Sequence, residues 1–397
     1  MNTLPWGTNQ NLTDEEFYNR YWELNNIKTF LETTEKGNAP KMLLTGIRGV
    51  GKTVFLKKIK RDLDEDYLVL YLDFSQSEAY QKNKLSINGL MEYFFKQLII
   101  ESKNKKLNTM DKKIEKYFKS DNFKIKDFIQ INKFPVPFFS SQTDTNKLFN
   151  FVLELPEKIY NENSDKIKGI IIFIDEFQII KQLNDYMDSF LWKMRSFIQN
   201  QRKVAYVFAG SISIQDNLIS EISGRDGIFG GRMLTFHLYP FEKDTVKDYL
   251  TKKAPYLLFT DEGFERFYKC TSGIPSYINI FASLLPQNTP LTEDIVIKNF
   301  DDKISAIITH LINMWTKLTY REQSIFISLL NSPLRRIDIA NQLNVSTGSL
   351  SNSLNHLQNQ GLIKYENEKY QIAEPILGRW LKLEFKNKGN YPYRISP

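Results

Sequence analysis

Two short stretches hold the residues best suited to chemistry. The first is "GIRGVGKT", residues 46–53, where two glycines bracket four residues and a lysine and a threonine follow. Glycines let the backbone turn so that N–H groups point inward at an anion. A lysine supplies a point charge for the β- and γ-phosphates, and a threonine hydroxyl can ligate Mg²⁺. This is the spacing of a nucleotide phosphate cradle, lined by Gly46, Arg48, Gly49, Val50, Gly51, Lys52 and Thr53. The second stretch is "IIIFIDEF", an apolar run that ends in Asp175 and Glu176. An aspartate there can hold Mg²⁺ directly or through a water. The glutamate beside it can orient and deprotonate an attacking water. The plainer alternative is an acidic pair that caps the following helix. Taken together, the two stretches predict a nucleotide as ligand and Mg²⁺ as its metal.

Such groups work only if their elements place them. "KMLLT" before Gly46 reads as a buried strand, and "TVFLKKIKRDL" after Lys52 reads as a helix with Val54, Phe55, Ile59 and Leu63 on one face. Further strands are expected at 67–74, 169–177, 203–211 and 233–238, with helices at 13–36, 85–102, 144–160 and 183–201. Thr13 would cap the first helix and Gly37 would stop it. Near-continuous apolar strands alternating with helices predict a parallel sheet covered on both faces, with ligands gathered at the strands' C-terminal ends. About 95 residues separate the second and third strands, more than a crossover needs. This insert, about 75–143, is read as a hairpin or extended loop, and its lysine-rich part as a solvated helix face.

Ser211 ends the fourth strand, where it could contact the γ-phosphate or the lytic water, or could cap the next helix. Arg225 and Arg232 follow in "SGRDGIFGGRM". An arginine delivered to the γ-phosphate of its own or a neighbouring subunit stabilises transition-state charge, and Arg232 is favoured for that role. From 242 the chain reads as all-helical, at 242–254, 260–271, 275–285 and 292–315. From 318 the order is helix, helix–turn–helix and a wing-like hairpin at "LIKYENEKYQIA", closed by a last helix. If that block binds duplex DNA, Arg335, Arg336, Lys364 and Lys369 are its candidate phosphate contacts, and Ser349 and Asn352 its candidate base contacts.

The whole chain carries 53 Lys+Arg against 46 Asp+Glu. From Lys317 onward there are 11 basic and 6 acidic residues, so 11 − 6 = +5 of the surplus sits at the C-terminal end. That is compatible with a polyanionic partner. The single cysteine, Cys270, excludes an intrachain disulfide, and the three scattered histidines offer no metal-ligand spacing. "MNTLPWGTNQNLTDEEF" has neither the basic start nor the apolar run of a signal peptide, and "IIIFI" is too short to span a bilayer. A cytoplasmic protein with no membrane partner is the expectation. Nothing in the sequence has the signature of a serine or cysteine hydrolase.

The P-loop "GIRGVGKT", the "FIDE" strand, the "AGS" strand end, the "GRM" arginine, the "SGIPSYI" helix start and the C-terminal helix–helix–wing block together resemble the archaeal-type ATPases of the AAA+/STAND assemblage, near the origin-recognition ATPases. The resemblance covers nearly the whole chain. It implies an α/β fold with a five-stranded parallel sheet in the order 5-1-4-3-2, a helical lid and a winged helix-turn-helix domain. The corresponding divisions are 1–240, 241–316 and 317–397. It also implies that Gly273 and Pro275 approach the adenine and ribose. Tyr21 follows Arg20 where the family's N-terminal motif carries an acidic residue, which speaks against an adenine-side role for Arg20. "GIPSY" stands where origin-recognition ATPases carry a sensor arginine, which favours a nucleotide-dependent switch over a processive motor. Two functions are open at this point. One is an ATPase switch that forms homo-oligomers with nucleotide and binds DNA through the winged helix. The other is a scaffold whose winged helix contacts a protein.

Overall fold

Five strands of the computed structural model form one parallel sheet: β1 (Lys41–Thr45), β2 (Leu68–Asp73), β5 (Ile170–Asp175), β6 (Val204–Ala209) and β7 (Leu234–His237). Between β2 and β5, β3 (Ile125–Ile131) and β4 (Phe134–Phe139) form a separate antiparallel hairpin. The structure describes residue 4 and residues 11–82, 84–109, 125–131, 134–139, 145–211, 217–224 and 227–393. The sheet order is β2-β5-β6-β1-β7. Counting only the sheet strands in chain order, that is 5-1-4-3-2, as expected.

The alternation of apolar residues along the strands explains the layers. Leu43, Leu70, Ile172 and Tyr206 face one core, built with the helices Ile87–Asn104, Thr145–Asn161 and Met187–Ile198. Met42, Leu44, Ile171 and Val207 face the other, built with the helices Tyr21–Glu32 and Lys52–Leu63. All six residues of β5 are buried. Asn163 is the polar tie that holds the entry to the insert. Its buried amide donates to the carbonyls of Asn108 (3.0 Å) and Ile159 (2.7 Å), and its oxygen accepts from the Asn108 N–H (2.7 Å).

Three local expectations change. The first long helix starts at Tyr21, because Asn19 and Arg20 take left-handed backbone angles (φ 60° and 67°) that a helix cannot continue through. Thr13 caps only a single turn before them, while Gly37 (φ 75°) does end the segment. The helix expected at 183–201 starts at Met187, because Asn184 (φ 49°, ψ −122°) breaks the chain ahead of it. The 242–315 segment also contains a short parallel pair, Leu258–Phe259 with Pro290–Leu291. Two-residue strands leave no periodic signal to read. The hairpin expected within the insert is β3–β4; of the lysine-rich stretch, Lys103 lies in the last turn of the helix Ile87–Asn104 and Lys105 and Lys106 follow it, while 110–124 lie outside the described residues.

By contacts the chain divides into two compact units, Gln10–Leu238 and Tyr239–Pro397. The second joins the lid helices to the C-terminal block. Trp315 Nε1 donates to Pro392 O (2.7 Å), and Arg379 makes a two-pronged pair with Asp301 (2.6 and 2.8 Å). The helices Tyr320–Ser328, Arg336–Gln342 and Ser351–Asn359 lead into an antiparallel wing, Ile363–Glu366 with Lys369–Ile372, and the helix Pro375–Lys388 follows. Among the described residues no helix is long and apolar enough to cross a membrane.

Replacing Asn163 with alanine removes all three hydrogen bonds made by a fully buried side chain. The expected loss is about 1–3 kcal/mol of stability, measured as a fall in the urea midpoint at unchanged slope.

Candidate nucleotide site

The phosphate loop begins where β1 ends. Gly46 takes φ 148°, and a Cβ there would lie 2.7 Å from Leu238 O and 3.0 Å from Val50 Cγ1. Only glycine lets the chain leaving β7 close against the loop. Gly51 (φ 102°) caps the helix Lys52–Leu63, and a Cβ there would meet nothing within 4 Å. Lys52 is buried, with 6% exposure. Its ammonium donates to the carbonyls of Gly46 (2.7 Å) and Ile47 (3.0 Å). Burial pushes its pKa down to about 8, against the opposing pull of Asp175 and Glu176. Among the described residues no carboxylate pairs with it. A buried ammonium at this position is a group that can pair with an anion. Val50 is buried and Arg48 is exposed. The Arg20 guanidinium, itself buried, donates to Val50 O (3.4 Å), so the turn that interrupts the N-terminal helix braces the loop.

The acidic pair meets the loop from β5. Asp175 Oδ2 accepts from the hydroxyls of Thr53 (2.6 Å) and Tyr71 (2.7 Å), and Oδ1 accepts from the Glu176 N–H (2.9 Å). A carboxylate only accepts, so the Thr53 proton goes to Asp175 and its lone pairs stay free for a hard cation. Thr53 and Asp175 therefore fit Mg²⁺, which takes one or two protein oxygens beside phosphate and water. No cluster of three acidic, histidine or cysteine side chains exists among the described residues to hold a metal otherwise. Glu176 sits in a left-handed conformation (φ 54°), and burial, then Asp175, raises its pKa. Gln178 Nε2 donates to Glu176 Oε2 (2.5 Å), while Gln178 Oε1 accepts from the Ser211 N–H (3.1 Å). The tips of β1, β5 and β6 thus bring together Lys52, Thr53, Asp175, Glu176 and Ser211. The helix-capping alternative for Ser211 falls on a segment outside the described residues.

Sequence reasoning missed Tyr71, Gln178 and a contact between Thr45 Oγ1 and His237 Nδ1 (2.8 Å). Burial, then Lys52 and Arg20, lowers the His237 pKa. The available signals were a tyrosine inside the apolar run "LVLYLD" and an amide two residues beyond Glu176.

The remaining candidates lie elsewhere. Arg232 is exposed and precedes β7, whose parallel register sets Leu234 beside Met42 and His237 beside Thr45. It therefore stands at the sheet end opposite its own phosphate loop, roughly 16 Å away along the strand. There it lines a cleft of about 460 Å³ with Phe30, Lys41, Arg195, Phe229 and Leu234. Arg225 lies outside the described residues. Gly273 and Pro275 belong to the second unit. Gly273 (φ 69°) would place a Cβ 2.1 Å from Phe241 O, and Pro275 opens the helix Pro275–Leu284. In the winged block Arg335 pairs with Asp338 (3.1 Å) and Lys364 with Glu366 (2.8 Å). Arg336 donates to Thr347 O (2.8 Å) and to Ser351, the first residue of the helix carrying Asn352. Ser349 donates to Ser346 O (2.8 Å). Ser349, Asn352 and Lys369 are exposed.

Comparison with known proteins agrees with this geometry. Residues 17–281 match the family described as an ATPase domain predominantly from Archaea. An uncharacterised ATP-binding protein of Methanocaldococcus jannaschii is 24% identical over 319 residues, 75% of this chain and 79% of that protein. The Walker-type ATPase of Pyrococcus abyssi shares the fold at a TM-score of 0.63 and 17% identity, over 94% of this chain and 99% of its own. The ORC2 protein of Aeropyrum pernix, solved with ADPNP and ADP, does so at a TM-score of 0.50 and 13% identity, over 95% and 98%. With its P-loop and its 5-1-4-3-2 sheet, the chain belongs to the family of ATPase domains found predominantly in Archaea.

Proposed function

We propose that the protein is a slow, Mg²⁺-dependent ATP hydrolase that works as a switch, changing its assembly state and its grip on duplex DNA with the bound nucleotide. The observation that carries this is the meeting of the buried Lys52 with the Thr53–Asp175–Glu176 group at one rim of the sheet. In this reading Lys52 leaves the loop carbonyls for phosphate oxygens. Gly46 to Thr53 wrap the phosphates, with Arg48 at the open edge. Mg²⁺, when bound, neutralises phosphate charge. Thr53 offers it lone pairs and Asp175 orients Thr53. Glu176 orients the attacking water and takes its proton, a task suited to a carboxylate whose pKa burial has raised. Gln178 holds Glu176 in place, and the Ser211 hydroxyl faces the γ-phosphate or the water.

Because Arg232 stands at the far end of its own sheet, it serves a neighbouring subunit's nucleotide, which makes a nucleotide-bound homo-oligomer the active form. The winged-helix topology and the basic surplus after Lys317 support duplex DNA as the second partner. One observation favours a protein partner instead. Arg335, Arg336 and Lys364 are engaged within the block, while Ile337 and Tyr365 are about half exposed, at 52% and 50%.

Lys52→Ala should reduce ATP affinity by two orders of magnitude or more in a fluorescent-nucleotide anisotropy assay, since the phosphates lose their cation. Glu176→Gln should bind as wild type and release phosphate roughly 10²–10⁴-fold more slowly. Equal ATP affinity in wild type and Lys52→Ala would sink the phosphate-loop assignment. Arg232→Ala and Glu176→Gln subunits, each inactive alone, should recover part of the activity when mixed. Mixtures that stay inactive on a protein that remains monomeric with ATP count against the arginine in trans.

For DNA, affinity should fall steeply between low and high salt as counterions are released. Reversing Arg335, Lys364 and Lys369 to glutamate, with Arg336 kept because it holds Thr347, should weaken binding to every sequence by about tenfold or more. No binding at low salt, or binding untouched by the reversals, would favour the protein partner.

A further inference from the structure

Three donors converge on Asp175, and two of them, the hydroxyls of Thr53 and Tyr71, share its Oδ2. Thr53 is part of the phosphate loop. Tyr71 is not: it comes from β2, which pairs directly with β5 and sets Tyr71 opposite Phe173, two residues before Asp175. The tyrosine side chain is long enough to reach the rim from there. Lys57 Nζ also lies over its ring, 5.7 Å from the centroid. Lys57 lies on the same helix as Thr53, so that helix meets Tyr71 both through the ring and through the shared carboxylate.

The chemistry of a carboxylate fixes the direction of both hydroxyl bonds. Oδ2 can only accept, so Tyr71 and Thr53 each spend their single proton on it. With two protons on one oxygen and a backbone N–H on the other, the carboxyl group has no freedom to turn about its Cβ–Cγ bond. The plane of Asp175 then dictates where the Thr53 lone pairs point. Phenylalanine would fill the same space at Tyr71 and give Asp175 nothing. The hydroxyl, not the ring, is therefore what β2 contributes.

We propose that Tyr71 is a positioning residue for the metal: its hydroxyl locks the Asp175 carboxylate so that Thr53 keeps its lone pairs on the nucleotide's Mg²⁺. This rests on the reading above in which Thr53 and Asp175 serve Mg²⁺. Groups that orient a metal's ligands in this way typically contribute about 10–100-fold to metal affinity.

The test measures binding of ADPNP, a non-hydrolysable ATP analogue, by isothermal titration, once with Mg²⁺ and once with EDTA. Wild type should bind more tightly with Mg²⁺. Tyr71→Phe should lose about tenfold in affinity with Mg²⁺ and nothing in EDTA. In an Asp175→Asn background, Tyr71→Phe should add no further loss, because the two side chains act as one unit. An unchanged Mg²⁺-dependent gain in Tyr71→Phe, or an equal loss with and without metal, would overturn the proposal and leave Tyr71 a packing residue. A wild type with no Mg²⁺-dependent gain would show that the metal reading itself fails, and this one with it.

Discussion

One buried carboxylate oxygen organises the nucleotide end of this protein. Asp175 Oδ2 ties the phosphate-loop helix to β5 through Thr53 and ties β2 to β5 through Tyr71. The partners lie 122 and 104 residues away in sequence, so the contact exists only if the sheet is in register. The register is secured by burial: β5 has apolar neighbours on both faces, and a slip by one residue would exchange those faces. With the strand fixed, its last residue can be charged and still buried, because it has three donors waiting.

Lys52 is the counterpart of that carboxylate. Its ammonium has been taken out of water and given two carbonyls, which is incomplete compensation, and burial holds its pKa down at about 8. Phosphate oxygens would complete the shell. The close approach of Leu238 to Gly46 and the Thr45–His237 contact fasten the end of β7 to the same loop. The strand that follows Arg232 is thereby joined to the strand that precedes the glycine loop.

Much of this was legible because local chemistry carried it. The glycine spacing of 46–53, the apolar run ending in Asp175 and the alternation of strands and helices each declare themselves within a few residues. The sheet order came from family resemblance and not from periodicity, which is blind to which strands are neighbours. Tyr71 stayed hidden because it acts across the sheet on a partner the sequence does not place beside it, and Gln178 because its link from Glu176 to Ser211 spans two strands. The breaks at Asn19, Arg20 and Asn184 were missed because asparagine and arginine at helical spacing look like ordinary surface positions. In the winged block, composition counted cations correctly but did not reveal that Arg336 turns inward to hold Thr347.

The central claim is that the Gly46–Thr53 loop, with Lys52 and the Asp175 cluster, holds nucleotide phosphate. A crystal structure with ADPNP and Mg²⁺ tests it most directly. The account predicts phosphate density within the loop and a Lys52 ammonium moved from the Gly46 and Ile47 carbonyls onto phosphate oxygen, with the Thr53–Asp175–Tyr71 contacts intact. Nucleotide bound away from the loop, or Lys52 still on those two carbonyls with nucleotide present, would contradict it.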